Sequence, residues 1–431
     1  MKIVKMGTEQ FLKRQGDLLS RRETIFDRYE NEVKVILRKY REISEAALLD
    51  YAKDFDHLEL KEDQLWIDPD LIRNSHKLLK PQIREGIELV VERVKRFQNE
   101  MRLSAFQTQE ESGVYWGQEL RAYQRVGVYV PKNYFLTLIL CAVPARIAGV
   151  EEIIVATPPE THLGAPYVDP SIFYVCKLLG IEKILVSGGV GALAALAYGS
   201  ASSLPVEKIV GPTNHRGMVA KFLLSRDIGI DGFTGPAEIT FLTDHQTNPR
   251  MVAADIVAVS DHNPDAQVVV LNNKQEWMES LMDELVQTTE KLKDVGSRHG
   301  ARSCLEGHTD LIVYEKLEEA IRFCNVTAPA QLSILIKDPA EILPKIHRCG
   351  SVVLGAFTPG VSLDIVGGAT GLVSTLGSAA FWPATTVRSF LGVFNVVQIE
   401  KAALSRLQAS SVALAQVEGF TTHPDIFTTR I

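Results

Sequence analysis

The stretch Arg125-Val-Gly-Val-Tyr-Val-Pro131 begins the run of sequence that decides the fold. Its β-branched core, Val126 to Val130, predicts a short strand, and an apolar helical run to Ala148 follows. The pattern then repeats: strands at Ile153 to Ala156, Ile184 to Val186 and Ile209 to Val210, with helices from Pro170 and from Ala192 between them. Strict alternation of strand and helix predicts βαβ units on a parallel, nucleotide-binding-like sheet. A second set of strands is predicted near Ile239 to Leu242, Gln267 to Leu271, Leu311 to Val313, Leu332 to Ile336 and Ser351 to Leu354. The expected fold class is therefore α/β, with two Rossmann-like parallel-sheet domains.

Outside this region the pattern is helical. Val33, Ile36, Leu37, Tyr40, Ile43, Ala47, Leu48 and Tyr51 recur at three- and four-residue spacing between Ile25 and Phe55, and a second amphipathic run covers Pro81 to Met101. The last stretch, Val387 to Glu418, also reads as helical, and Ser297 to Thr309 reads as a polar loop. The charge run Lys13 to Glu32 mixes both signs, which suits a solvated helix face better than a nucleic-acid site.

With 431 residues the chain is long enough for two or more domains, since a domain usually takes about 100 to 200. A net charge of −7 argues against nucleic acid as a partner. Arg146, Glu151 and Glu152 interrupt the most apolar stretch, Phe135 to Val155, so no membrane span is expected. The cysteines (Cys141, Cys176, Cys304, Cys324, Cys349) lie far apart without a C-x-x-C pair, which fits a reduced, cytoplasmic setting and not a disulfide framework.

Several segments carry a resemblance to one family: Arg125 to Pro131, Pro144-Ala-Arg-Ile-Ala-Gly149, Ala194-Ala-Leu-Ala-Tyr-Gly199, Lys208-Ile-Val-Gly-Pro-Thr-Asn214, Gly235-Pro-Ala-Glu238 and Val417-Glu-Gly-Phe-Thr-Thr-His423. In this order and spacing they resemble histidinol dehydrogenase over roughly residues 25 to 431. The resemblance implies an intertwined homodimer that binds zinc and uses NAD to oxidise L-histidinol through the aldehyde to L-histidine. It also implies a division into an N-terminal extension (1–25), a discontinuous first α/β domain (26–128 plus 243–385), a second, nucleotide-binding-like domain (129–242) and a helical dimerisation tail (386–431).

The resemblance implies zinc ligands at a glutamine and a histidine three residues apart on a helix, at a later aspartate and at a histidine near the partner's C-terminus. His262, Asp364 and His423 match three of these, while Val259 stands where the glutamine should be. Two histidines and one carboxylate remain a chemically adequate zinc set. Taken singly, His262 reads as an ordinary helix histidine and Asp364 as a turn carboxylate.

The catalytic positions differ more sharply. Where the family carries Ala-Pro-Glu-His-Leu, this chain reads Ala328-Pro-Ala-Gln-Leu332. Neither Ala330 nor Gln331 can act as a general base, and each such loss costs about 10² to 10⁴ in rate. On the cofactor side Tyr129 and Asn214 match residues that contact NAD in the family, and Gly191 replaces its glutamine. The glycines of Gly188-Gly-Val-Gly-Ala192 leave room for an anion or nucleotide phosphate at a helix N-terminus. On the substrate side Ala237 replaces serine and Glu418 is retained. His215, His299 and His308 are expected at the surface.

Three functions compete on these residues. The first is a diverged homologue serving as scaffold, ligand binder or regulator; the second is a zinc- and NAD-dependent alcohol dehydrogenase acting on another small substrate. The third, a working histidinol dehydrogenase, is the one that Ala330 weighs against most.

Overall fold

The computed structural model describes residues 1–132, 134–162, 165–369 and 371–431. A short strand, β1 (Ile3–Lys5), leads into the 35-residue helix α1 (Glu9–Ile43). Thr8 starts this helix by accepting the Phe11 N–H on its hydroxyl, and Val33, Leu37 and Tyr40 bury one face. The helix begins sixteen residues before the Ile25 predicted from periodicity, because its first turns carry mostly polar, exposed side chains. Helix α2 (Glu45–Tyr51) continues into a π-helical turn, Ala52–Asp56, that stops at His57 in the left-handed conformation. Helices α3 (Pro69–Asn74) and α4 (Pro81–Glu100) follow; α4 buries Ile87, Val90, Val91 and Val94.

Strands β2 (Phe106–Glu111) and β3 (Val114–Ala122) pair antiparallel. The predicted alternation then appears as β4 (Arg125–Tyr129), α5 (Phe135–Ala148), β5 (Glu152–Thr157), a small hairpin of β6 (Glu160–His162) and β7 (Ala165–Tyr167), and α6 (Pro170–Leu178). It continues with β8 (Lys183–Val186), α7 (Gly189–Tyr198), β9 (Lys208–Val210), α8 (His215–Leu224) and β10 (Gly229–Ile230). Five of these strands form one parallel sheet in the order β10-β9-β4-β5-β8. The order reverses between β4 and β9, so the crevice beyond their carboxyl ends, at Tyr129 and Gly211, is a topological switch point.

The second sheet is built from β11 (Glu238–Leu242), α9 (Pro249–His262), β12 (Gln267–Asn272), α10 (Gln275–Glu290), α11 (Val295–Gly307), β13 (Thr309–Val313), α12 (Leu317–Thr327), β14 (Gln331–Ile334) and β15 (Ser351–Leu354). Its six parallel strands run β1-β13-β12-β11-β14-β15, with the N-terminal strand at one edge. Strands such as Val268 to Leu271 are apolar on both faces because helices cover both sides.

Two expectations are corrected. Ser297 to Thr309 is not a loop: α11 spans most of it, started by Asp294 accepting the Ser297 N–H at 2.7 Å and anchored by buried Ala301, Cys304 and Leu305. Nor is Val387 to Glu418 one helix. A 3₁₀ turn at Val387–Phe390 precedes strand β16 (Leu391–Ile399), and only then comes α14 (Lys401–Val417). Val393, Phe394, Val396, Val397 and Ile399 favour an extended chain, and β16 pairs with β3 along its whole length. The short helices α13 (Ser362–Ile365) and α15 (His423–Thr428) complete the fold. No helix among the described residues is long and apolar enough to cross a membrane.

Candidate active site

The two sheets meet at a cavity of about 130 Å³. Pro212, Thr234 and Gly235 wall it from the five-stranded side; Ala237 and Glu238 line it at the start of β11, and Ala330 and Gln331 at the start of β14. Within the six-stranded sheet the register sets Glu238 beside Gln331, because Ile239 pairs with Gln331 on neighbouring parallel strands. Gly371 to Val373 and Thr375 close the remaining side. Three positions singled out in the sequence, Ala237, Ala330 and Gln331, thus share one cavity. Ala330 offers only a methyl group, and the Gln331 amide packs so closely on Gly360 that a Cβ there would lie 2.5 Å from Nε2.

Glu238 is the ionisable side chain that lines the cavity. Its carboxylate accepts the Leu376 N–H at 2.7 Å and lies 3.4 Å from Arg21 on α1. Burial pushes its carboxyl above the usual range, while Arg21 and the N–H groups of Leu376 and Gly377 pull it back down. The Gly211 and Thr234 loops are held by a buried network. Lys221 Nζ donates to Gly211 O at 2.5 Å, to Asp231 Oδ1 at 2.5 Å and to Thr234 Oγ1 at 2.8 Å. Asp231 Oδ2 in turn accepts the Gly211 N–H at 2.7 Å. Neither charge touches solvent, so each is stable there only because the other is present.

On α9, Asp255, Val259 and His262 fall at i, i+4 and i+7, one face of the helix. Val259 packs against the apolar core of the six-stranded sheet. Asp255 accepts the Gly360 N–H, and burial pushes its carboxyl up to about 6. His262 ends the helix, and its side chain lies outside the described residues. Asp364, on α13, accepts the Gly371 N–H at 2.7 Å, and burial pushes it likewise to about 6. Asp364 therefore adjoins the cavity through Gly371. Glu418 and His423 do not line it: both are exposed near the C-terminus, with the His423 ring 4.3 Å from that of Phe420. Among the described residues no group of three or more His, Cys, Asp and Glu side chains is placed to hold a metal ion.

The other three positions lie along the carboxyl edge of the five-stranded sheet. Tyr129 is buried, and its hydroxyl accepts the Gly189 N–H at 3.0 Å; the Tyr51 hydroxyl accepts the Val190 N–H at 3.3 Å. A Cβ on Gly191 would lie 3.0 Å from the Tyr51 ring, so that ring fills the space of a side chain at 191. The Asp56 carboxylate sits beside Gly188, with Oδ2 buried and without a hydrogen-bond partner. The anion seat expected at this helix start is thus already occupied: two phenol oxygens take its N–H groups and a carboxylate stands at its mouth. Asn214 Oδ1 accepts the Gly217 N–H at 2.9 Å as the N-cap of α8.

The model of the histidinol dehydrogenase family matches residues 19–431. The chain belongs to the histidinol dehydrogenase family. It is 34% identical to histidinol dehydrogenase from Thermus thermophilus over 410 residues, covering 94% of this chain and 95% of that protein. With the Geobacter sulfurreducens histidinol dehydrogenase it shares 32% identity, covering 94% of each. The crystal structure of histidinol dehydrogenase from Elizabethkingia anophelis has the same fold, with a TM-score of 0.87 at 23% identity over 100% of this chain and 98% of that one.

Sequence reasoning missed several groups at the cavity and at the start of α7. Tyr51, Asp56, Arg21 and Lys221 have no spacing that ties them to the motifs they serve. Asp255 could have been found, since it shares the helix face of Val259 and His262. His215 and His308 are half-buried rather than at the surface, His215 with its Nε2 buried and unpartnered, and burial lowers both pKa values.

Proposed function

We propose that this chain is a diverged histidinol dehydrogenase homologue that holds a small ligand in the family's cavity without oxidising histidinol at the pace of an ordinary family enzyme. The observation that carries this reading is the cavity wall at Ala330 and Gln331, where no group can take the alcohol's proton. Glu238 does not replace that base, because Leu376 and Arg21 already engage its oxygens. What remains is a hydrogen-bonding, shape-selective pocket, which suits binding or regulation.

Zinc fits the donor chemistry only in part. Asp364, His262 and His423 of a second copy would hold it, Val259 offers no donor, and the metal when bound would polarise an alcohol oxygen and lower its pKa. NAD would serve as hydride acceptor, and Tyr129 and Asn214 remain to contact it. Its phosphates do not fit at the start of α7, where Tyr51 and Tyr129 cap the N–H groups and Asp56 repels negative charge. Asp364 beside the cavity wall favours a second reading, a zinc- and NAD-dependent alcohol dehydrogenase for a different small substrate.

A homodimer would cover the apolar side chains left exposed on the C-terminal segment, among them Val397 (66%), Leu414 (68%) and Val417 (87%). Four buried free thiols, Cys141, Cys176, Cys304 and Cys324, suit a reducing cytoplasmic compartment.

Calorimetric titration of the zinc-supplied protein with L-histidinol and L-histidine, followed by addition of NAD, tests the proposal. Saturable binding is expected, with NADH formed at least about 10²-fold more slowly than by an ordinary family enzyme. NADH formed at that enzyme's ordinary rate would overturn it.

A further inference from the structure

A second hollow, of about 590 Å³, opens between α1, α8 and the segment around Trp382. Its volume lies within the range of about 300 to 1,000 Å³ that small-molecule sites occupy. Phe26 meets Phe222 edge-on with ring centres 5.0 Å apart and meets Phe233 at 5.4 Å; Phe233 lies 5.7 Å from Trp382, and Trp382 lies 6.2 Å from Phe381. The rings are not sealed by their own packing: Phe222 is 46% exposed and Phe381 63%. Aromatic faces held open around a concavity favour a flat apolar guest, which can stack or pack edge-on against several of them.

The rim adds charge of both signs. Arg22 and Glu23 are consecutive on α1 and both line the hollow. Neither has an ion-pair partner among the described residues, although the Arg22 guanidinium lies 5.7 Å from the centre of the Phe381 ring. A guanidinium presents a fork that suits a carboxylate, and a carboxylate suits an ammonium. Lining the same hollow, the two match the opposite charges of a zwitterionic head.

We propose that this hollow is a binding site for a small aromatic amino acid, its ring among the five aromatic side chains, its carboxylate on Arg22 and its ammonium on Glu23. The site is separate from the histidinol cavity but shares a wall with it. Phe233 lines the hollow, while the next two residues, Thr234 and Gly235, line the cavity. The Phe233 carbonyl also accepts the N–H of Thr375, itself a cavity residue, at 3.0 Å. The inference does not depend on how the cavity itself is read.

Titration of the full chain in its native oligomeric state tests the site, with L-phenylalanine, phenethylamine and 3-phenylpropionate as probes and calorimetry as the readout. L-phenylalanine is expected to saturate with a Kd below about 1 mM, and the two analogues, each lacking one charge, to bind at least about tenfold more weakly. Arg22→Gln should weaken L-phenylalanine to the level of phenethylamine and leave phenethylamine unchanged. Equal affinity for all three probes, no saturation by any of them, or indifference to Arg22→Gln would overturn the proposal. So would hydrogen exchange showing the segment around Trp382 covered by a second copy of the chain.

Discussion

At position 330 the side chain ends at a buried methyl group, and at 331 it ends in an amide whose nitrogen lies against Gly360. These two residues were fully legible in the sequence, because a missing titratable group needs no coordinates to be noticed. The buried acids elsewhere in the chain were not, because burial decides their behaviour. Asp56 shows this best: desolvation pushes its carboxyl from 3.8 up to about 6. The folded chain then holds a proton more tightly than the unfolded one between those two values, so stability falls as pH rises through that window. Asp56→Asn removes the effect. The variant should unfold at a higher urea concentration than the parent at pH 7 and at the same concentration near pH 3.5, where both carry a neutral side chain. Equal midpoints at both pH values would show that Asp56 is well solvated.

Elements were read correctly where periodicity was strong, as in the strands from β4 to β9 and the helices between them. The errors have physical causes. The single apolar stripe of α11 is diluted by Gly296, Gly300 and polar residues, and β16 looks helical in sequence because its pairing with β3 is a contact nearly three hundred residues away. The start of α7 carries a similar lesson: a glycine-rich turn promises space, yet Tyr51 from α2 has taken it. Gly191→Gln, which restores the family's residue, should therefore lower stability by about 1 to 3 kcal/mol through overpacking. Combined with Tyr51→Ala, the glutamine should cost less than it does alone, a coupling that thermal unfolding of the four proteins in a double-mutant cycle would reveal. Strict additivity would mean that the Tyr51 ring moves aside without cost.

For the whole molecule, two parallel sheets are placed so that residues far apart in the sequence, from Pro212 to Thr375, share one small cavity. The βαβ alternation foretold the sheets, but the meeting of Pro212, Glu238, Gln331 and Gly371 depends on how the sheets pack, which no local pattern records. The C-terminal segment remains apolar on its outside and distant from that cavity. Sedimentation should accordingly give a mass of two 47.7 kDa chains. Val397→Glu with Leu414→Glu should shift the protein to one chain, and a monomeric parent would remove the dimer from the account.

The proposed function requires that Ala330 and Gln331 leave the alcohol without a proton acceptor. NADH formation from L-histidinol, measured with saturating zinc and NAD for the parent and for Ala330→Glu combined with Gln331→His, tests it most directly. The parent should be at least about 10²-fold slower than the double variant, the smaller end of what one general base contributes. A parent that turns over L-histidinol as fast as the Thermus thermophilus relative would contradict the claim.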